Sequence, residues 1–183
     1  MKTTLIFLGV LSLSGCTTHY VNLERWIEIG DAKWSSRSDV TSGVSVSTAG
    51  FLVSPKPFKN FEMHLEFMPD KRVNSGILIG CEDPKSITLD DCYEINIWDD
   101  HPNQKFRTGA IVLHSAPPFT HIDTTGKWNK YRITFKDNKV QVWLNEKLTA
   151  EMENAKFRSG YIALQSVGGM VQFRNLRLKR ITK

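Results

Sequence analysis

Alternation of apolar and polar residues at every second position is the feature that most limits how this chain can fold. Phe61, Met63, Leu65 and Phe67 alternate with Glu62, His64 and Glu66. Successive side chains of a strand point to opposite faces, so this period gives one buried and one wetted face. Tyr93, Ile95 and Ile97 repeat the pattern against Glu94, Asn96 and Trp98, as do Tyr131, Ile133 and Phe135 against Arg132 and Thr134. Val140, Val142 and Leu144 alternate with Gln141 and Trp143. Apolar runs at 77–79, 110–113, 161–167 and 170–178 bring the expectation to about ten short strands, at the spacing of a sandwich. Asp137-Asn138, Asn145-Glu146 and Gly168-Gly169 supply turn residues between runs, the last as a two-residue hairpin that needs positive φ. After the N-terminal segment no stretch keeps the i, i+3, i+4, i+7 spacing of an amphipathic helix. The expected fold class is all-β, an antiparallel jelly-roll β-sandwich in one domain.

The N-terminus reads differently. Lys2 precedes the apolar run Leu5-Ile6-Phe7-Leu8-Gly9-Val10-Leu11. That run is shorter than the ~20 residues of a membrane-spanning helix and suits the core of a secretory signal. It ends in Leu13-Ser14-Gly15-Cys16, which looks like the lipobox of bacterial lipoproteins. The expectation is a signal peptide over 1–15, a lipidated Cys16 with a tether over 16–30, and the folded domain over 31–183. This places the protein in the cell envelope, attached to a membrane through its lipid. The plainer alternative is an ordinary signal with an incidental cysteine.

With Cys16 set aside, Cys81 and Cys92 remain. In an oxidising compartment a leftover pair reads as a disulfide; two free thiols or a metal pair are the alternatives, and no Cys-x-x-Cys spacing supports metal. Strict alternation puts Cys81 with Ile77 and Ile79 and Cys92 with Glu94 and Asn96, on opposite faces. The formal charge of +5 is too mild to imply a nucleic-acid partner. Arg174, Arg177, Lys179, Arg180 and Lys183 cluster at the end of the chain. They read as the solvated face of a last strand and tail, with weak attraction to anionic lipid or polysaccharide as the other reading.

Glu94, Asn96 and Trp98 share one strand face. A carboxylate and an amide bond hydroxyls and an indole stacks on a pyranose, so the set suits a sugar; a plain solvent-facing strand fits equally. Asp99, Asp100 and His101 follow at the strand end, where they could hold a divalent cation, supply an acid and a base, or form a solvated turn. His114 and His121 lie in the next stretch. Glu94 and Asp99 could pair as two carboxylates only if the strand ends or bulges near Trp98. There is no Gly-x-Ser-x-Gly, phosphate-binding glycine loop or His-Glu-x-x-His.

An ordered set of stretches resembles the 3-keto-disaccharide hydrolase domain family. It runs through residues 58–67, Asn74-Ser75-Gly76-Ile77, residues 93–99, Thr108-Gly109-Ala110, Gly126-Lys127-Trp128-Asn129, Trp143-Leu144-Asn145, residues 160–165, and Val171, Phe173, Arg174, Asn175 and Leu176. The resemblance spans roughly 35–181 and implies a concanavalin-like jelly roll. It also implies cleavage of 3-keto-glycosides: a base takes the acidified C2 proton, the C1 group leaves by elimination, and water adds back. Glu94, Asp99, His101 and His114 are the catalytic candidates it suggests. Asn96, Trp98, Arg107 and Gln165 are the candidates for holding the oxidised sugar. Asp99, Asp100 and His101 are those for a divalent cation that would polarise the keto oxygen. Members of the family usually carry arginine, glutamine and an aromatic where this chain has Gly80, Asn96 and Val112. Alternation places Gly80 beside the Glu94 face, with Arg107 as a substitute charge. The alternative is a carbohydrate-binding or surface-interaction jelly roll without the chemistry.

Overall fold

The computed structural model describes residues 18–119 and 122–182. The signal segment, Cys16 and His121 lie outside the described residues. Within them are thirteen strands: β1 (Thr18–Tyr20), β2 (Ile27–Gly30), β3 (Lys33–Arg37), β4 (Val40–Val44), β5 (Gly50–Val53), β6 (Phe61–Pro69), β7 (Asn74–Cys81), β8 (Tyr93–Ile97), β9 (Asn129–Lys136), β10 (Lys139–Leu144), β11 (Lys147–Met152), β12 (Tyr161–Val167) and β13 (Met170–Arg180). One sheet runs β11-β10-β9-β6-β13-β4-β3, with β1 beside the second half of β13; the other runs β2-β5-β12-β7-β8. The two antiparallel sheets face each other as a jelly-roll sandwich, the fold class that the alternation predicts.

The alternating apolar residues are the core. Phe61, Met63, Leu65 and Phe67 of β6 meet Tyr131, Ile133 and Phe135 of β9 from one sheet, and Ile77, Ile79, Tyr93, Ile95, Ile97 and Leu164 from the other. Phe67 stacks on Tyr131 with centroids 4.6 Å apart, and Phe61 meets Phe135 edge-on at 5.8 Å. Burial of each such side chain contributes about 1.5–3 kcal/mol. The outer face of the larger sheet is polar and carries Arg132 over the Trp143 ring at 3.5 Å.

Two of the three expected turns join hairpins. Asn145 and Glu146 both take positive φ between β10 and β11, as a tight primed turn requires. Asp137-Asn138 joins β9 to β10. Gly168-Gly169 does not make a hairpin: β12 and β13 belong to different sheets, so this pair turns the chain from one layer to the other. Glycine is required there by close approach, since a Cβ on Gly169 would lie 2.6 Å from Asp70 Oδ1 and 2.8 Å from the Val73 nitrogen. Periodicity cannot separate a corner from a hairpin, because both join two alternating runs. Part of the stretch expected as a tether is also inside the fold: β1 pairs with β13 and β2 with β5. Residues 108–112 lie along the free edge of β8 and are bound to it by Asn96 N–H to the Ala110 carbonyl, Gly109 N–H to the Asn96 carbonyl and Val112 N–H to the Glu94 carbonyl.

Candidate functional site

Register places the polar residues of the smaller sheet before any side chain is considered. Gly76 of β7 is opposite Gln165 of β12 on one side and Asn96 of β8 on the other. Gln165 is opposite Phe51 of β5, and Phe51 opposite Ile29 of β2. One row on the outer face therefore reads Ile29, Phe51, Gln165, Gly76, Asn96. The next row includes Val53, Ala163, Leu78 and Glu94.

Gly76 has no side chain to fill its place in the row, and Glu94 leans into it. A Cβ at Gly76 would lie 2.7 Å from Glu94 Oε1 and 3.1 Å from its Cγ. The Glu94 residue is 7 % exposed. Burial disfavours its charged form and pushes the carboxyl up from the ordinary glutamate range to about 7. Asn96, 2 % exposed, donates Nδ2 to the Phe106 carbonyl, which ties down the 99–107 loop. Its Oδ1 is buried without a hydrogen-bond partner, and so is Oε1 of the half-buried Gln165. A buried acceptor left unmade costs about 1–3 kcal/mol. Glu94, Asn96 and Gln165 thus form a polar cluster around Gly76. It adjoins an apolar cluster of Val53, Leu78, Cys81, Cys92 and Ala163, flanked by Phe51, Ile29, Ile87 and Tyr161.

The Cys81–Cys92 disulfide is formed, with Cα atoms 4.3 Å apart. Strict alternation would forbid it. The β7–β12 register slips between Tyr161 and Ala163, which oppose Cys81 and Leu78, so β7 holds one extra residue. The bulge falls at Gly80, which takes φ +71°. It turns Cys81 to the outer face, where Cys92 waits, and turns Gly80 inward. A Cβ on Gly80 would meet Phe157 at 3.3 Å and Phe135 at 3.4 Å. Gly80 therefore lies on the core side rather than beside Glu94, contrary to the alternation.

The other candidates do not join Glu94. β8 ends at Ile97, and Asp99 turns away to accept from Thr108 Oγ1 at 2.6 Å, the Thr124 nitrogen at 2.5 Å and Thr124 Oγ1 at 2.9 Å. Both its oxygens are committed to pinning two loops. Asp100 is exposed, and His101 Nδ1 accepts from the Asn103 N–H at 2.9 Å. Burial holds the His101 imidazole below its ordinary range. Asp99, Asp100 and His101 are thus not drawn together as a ligand set, and no three His, Cys, Asp or Glu side chains group to hold a metal among the described residues. Exposed His114 sets its ring edge-on to Tyr93 at 5.2 Å, on the side of β8 opposite Glu94. Trp98 follows the end of β8 and packs its half-buried ring against His101 at 4.5 Å. Arg107 is buried at 6 % exposure in the loop leading to the β8 edge. The residue that sequence reasoning missed is Gly76. Its signal was a glycine in a β-run at a groove-facing position, a place where something else approaches the backbone closely.

Residues 20–179 match the 3-keto-alpha-glucoside-1,2-lyase-like domain. The chain belongs to that family. This is the family to which the ordered motifs point. No curated protein matches the chain. Among solved structures, a "putative glycosyl hydrolase" from Parabacteroides distasonis ATCC 8503 is similar with a TM-score of 0.71 and 22% identity, over 84% of this chain and 86% of that one. A second from the same organism gives 0.69 and 24%, over 90% and 93%. A carbohydrate binding module, CBM66 from Bacillus subtilis, gives 0.67 and 15%, over 84% and 94%. At these identities the likeness establishes the jelly-roll fold alone.

Proposed function

We propose that this domain binds a 3-keto-glycoside at the Glu94, Asn96 and Gln165 cluster around Gly76 and eliminates its C1 substituent, with Glu94 as the group that takes the C2 proton. The observation that carries this reading is the Glu94 carboxyl itself, buried over a glycine and pushed up to about 7. A base works best when its pKa lies near the working pH, because it is then both available and strong enough to accept a proton. A 3-keto group acidifies C2–H. The C–H pair becomes the C1=C2 bond, the C1–O bond breaks, and the aglycone leaves with a proton; water can then add across the double bond. Family membership supports carbohydrate as the substrate class, and the 1,2-lyase-like description supports elimination across C1 and C2, with the C1–O bond broken. Asn96 Oδ1 and Gln165 Oε1 would accept from sugar hydroxyls, while Phe51 and Trp98 offer ring faces beside them. The chain would act as an envelope lipoprotein anchored through Cys16.

Deuterium exchange at C2 of a 3-keto-glucoside, followed with aglycone release, tests this. The expected result is exchange and release from the 3-keto sugar, neither from the unoxidised glucoside, and loss of both by about 100-fold or more in Glu94→Gln. Release that persists in Glu94→Gln would end the assignment. A second reading, a sugar-binding domain without chemistry, is favoured by one observation: Asp99, His101 and His114 all have partners elsewhere than at Glu94. Binding of the 3-keto sugar with no exchange would select it.

A further inference from the structure

The outer face of the larger sheet carries a ladder of charges centred on β6. Glu62, His64 and Glu66 point outward from that strand, while Phe61, Met63, Leu65 and Phe67 point into the core. Register sets Glu66 between Lys130 of β9 and Arg174 of β13, and Glu62 between Thr134 of β9 and Lys179 of β13. His64 stands between them along β6, with Arg132 on one side and Arg177 on the other. Its row continues through Trp143 to Leu148 and carries no carboxylate. Opposite charges facing each other across strands stabilise a sheet, and like charges do not. The two flanking rows each set a glutamate against a cation; the middle row sets basic groups side by side.

Both glutamates of the ladder are already committed. Glu66 accepts from Arg174 Nε at 2.8 Å and from Asn175 Nδ2 at 3.2 Å, and the Arg174 guanidinium lies over the Trp128 ring at 3.9 Å. Glu62 Oε1 is 2.9 Å from His64 Nε2, and its Oε2 is 4.0 Å from Arg132. Glu151, further along the sheet, is paired with Lys139 at 3.0 Å. Glu24 and Asp39 lie on the far side of Arg174, where they line a separate cavity with it.

A bulge opens a cavity at the middle row. The β13–β6 register slips between Arg174 and Arg177, and Asn175 takes φ +55°. The cavity holds about 370 Å³ and is lined by the two glutamates, His64, Lys130, Asn175, Arg177 and Lys179. Sites for small ligands begin at roughly 300 Å³. We propose that this cavity is an anion site, which takes a ligand's carboxylate into the place in the ladder that a third glutamate would hold. Lys130, Arg177 and Lys179 supply the charge, with the His64 imidazole beside them. The site is on the opposite face of the sandwich from Glu94, and neither assignment depends on the other.

Titration of the full-chain protein, followed by nuclear magnetic resonance at neutral pH and ~20 mM salt, tests it. The probes are galacturonate, the amide of N-acetylglutamate, neutral galactose and inorganic phosphate. Backbone amides of His64, Lys130 and Lys179 should shift with one or both carboxylates and stay in place with galactose. The tighter of the two acids identifies the source as a sugar acid or a peptide side chain. Lys179→Gln should weaken binding about threefold or more, and ~0.5 M salt should weaken it in the parent protein. His64→Glu supplies the absent carboxylate from the chain itself. It should therefore abolish binding and raise the urea midpoint of the ligand-free protein. Undiminished binding in His64→Glu overturns the proposal. So do shifts confined to other residues, phosphate binding more tightly than either acid, or no binding of either acid.

Discussion

Glu94 makes the protein less stable in exchange for a carboxyl that titrates near neutrality. Its folded-state pKa of about 7 lies above the ordinary glutamate value of 4.5. The folded state therefore holds a proton that the unfolded chain has released, and stability falls as pH rises between those two values. The full cost, of order 3 kcal/mol, is present above pH 7 and absent below about pH 4.5. Glu94→Gln should accordingly raise the urea midpoint at pH 8 and leave it nearly unchanged at pH 4. Equal midpoint shifts at both pH values would mean that burial does not set this titration. The same variant should abolish exchange at C2, so one residue would move stability and activity in opposite directions. Gly76 makes room for that carboxyl. The sequence marked it only as a glycine inside a β-run, which signals a close approach without saying which group makes it.

Strands were legible where alternation is strict, and their order of faces failed where one residue breaks it. β6, β8, β9 and β10 follow the period closely enough for their buried residues to be named from sequence. β7 does not, because Gly80 inserts a bulge that two short apolar runs conceal. Asp99 was misread for a related reason. Carboxylates at a strand end look alike in sequence whether they face a ligand or, as here, accept from Thr124 and Thr108 in loops distant along the chain. The disulfide was legible from cysteine arithmetic, against the face assignment. It closes a separation of 11 residues, and on chain-entropy grounds its removal should cost about 3 kcal/mol. Cys81→Ala/Cys92→Ala should lower the urea midpoint accordingly and loosen the Ile87 loop, measured as faster amide exchange over residues 82–91. An unchanged midpoint would mean that the reduced loop is already ordered.

The whole molecule is closed by its last strand. β13 lies between β6 on one side and β4 and β1 on the other, so the first and last described strands meet within one sheet. Such long-range closure delays cooperative folding until the chain is complete. A chain cut before Met170 should lack a cooperative urea transition, as followed by near-ultraviolet circular dichroism; a cooperative transition would show that β6 and β4 hold without their shared partner. Fold class was accessible from sequence at this scale because it depends on the period of burial. Membership of a sheet was not, as Gly168-Gly169 demonstrates, because it depends on which layer receives the next strand.

The bulge at Gly80 also works as a parity check on oxidative folding. Removing that one residue would turn every later side chain of β7 to the other face, as a frameshift changes every later codon. Cys81 would then point into the core while Cys92 remained outside, and the two sulfurs could not meet. Within the folded sheet the bond fits only the register in which β7 carries its extra residue, so the intact bridge and the outward-facing cluster above Gly76 belong to the same assignment of faces.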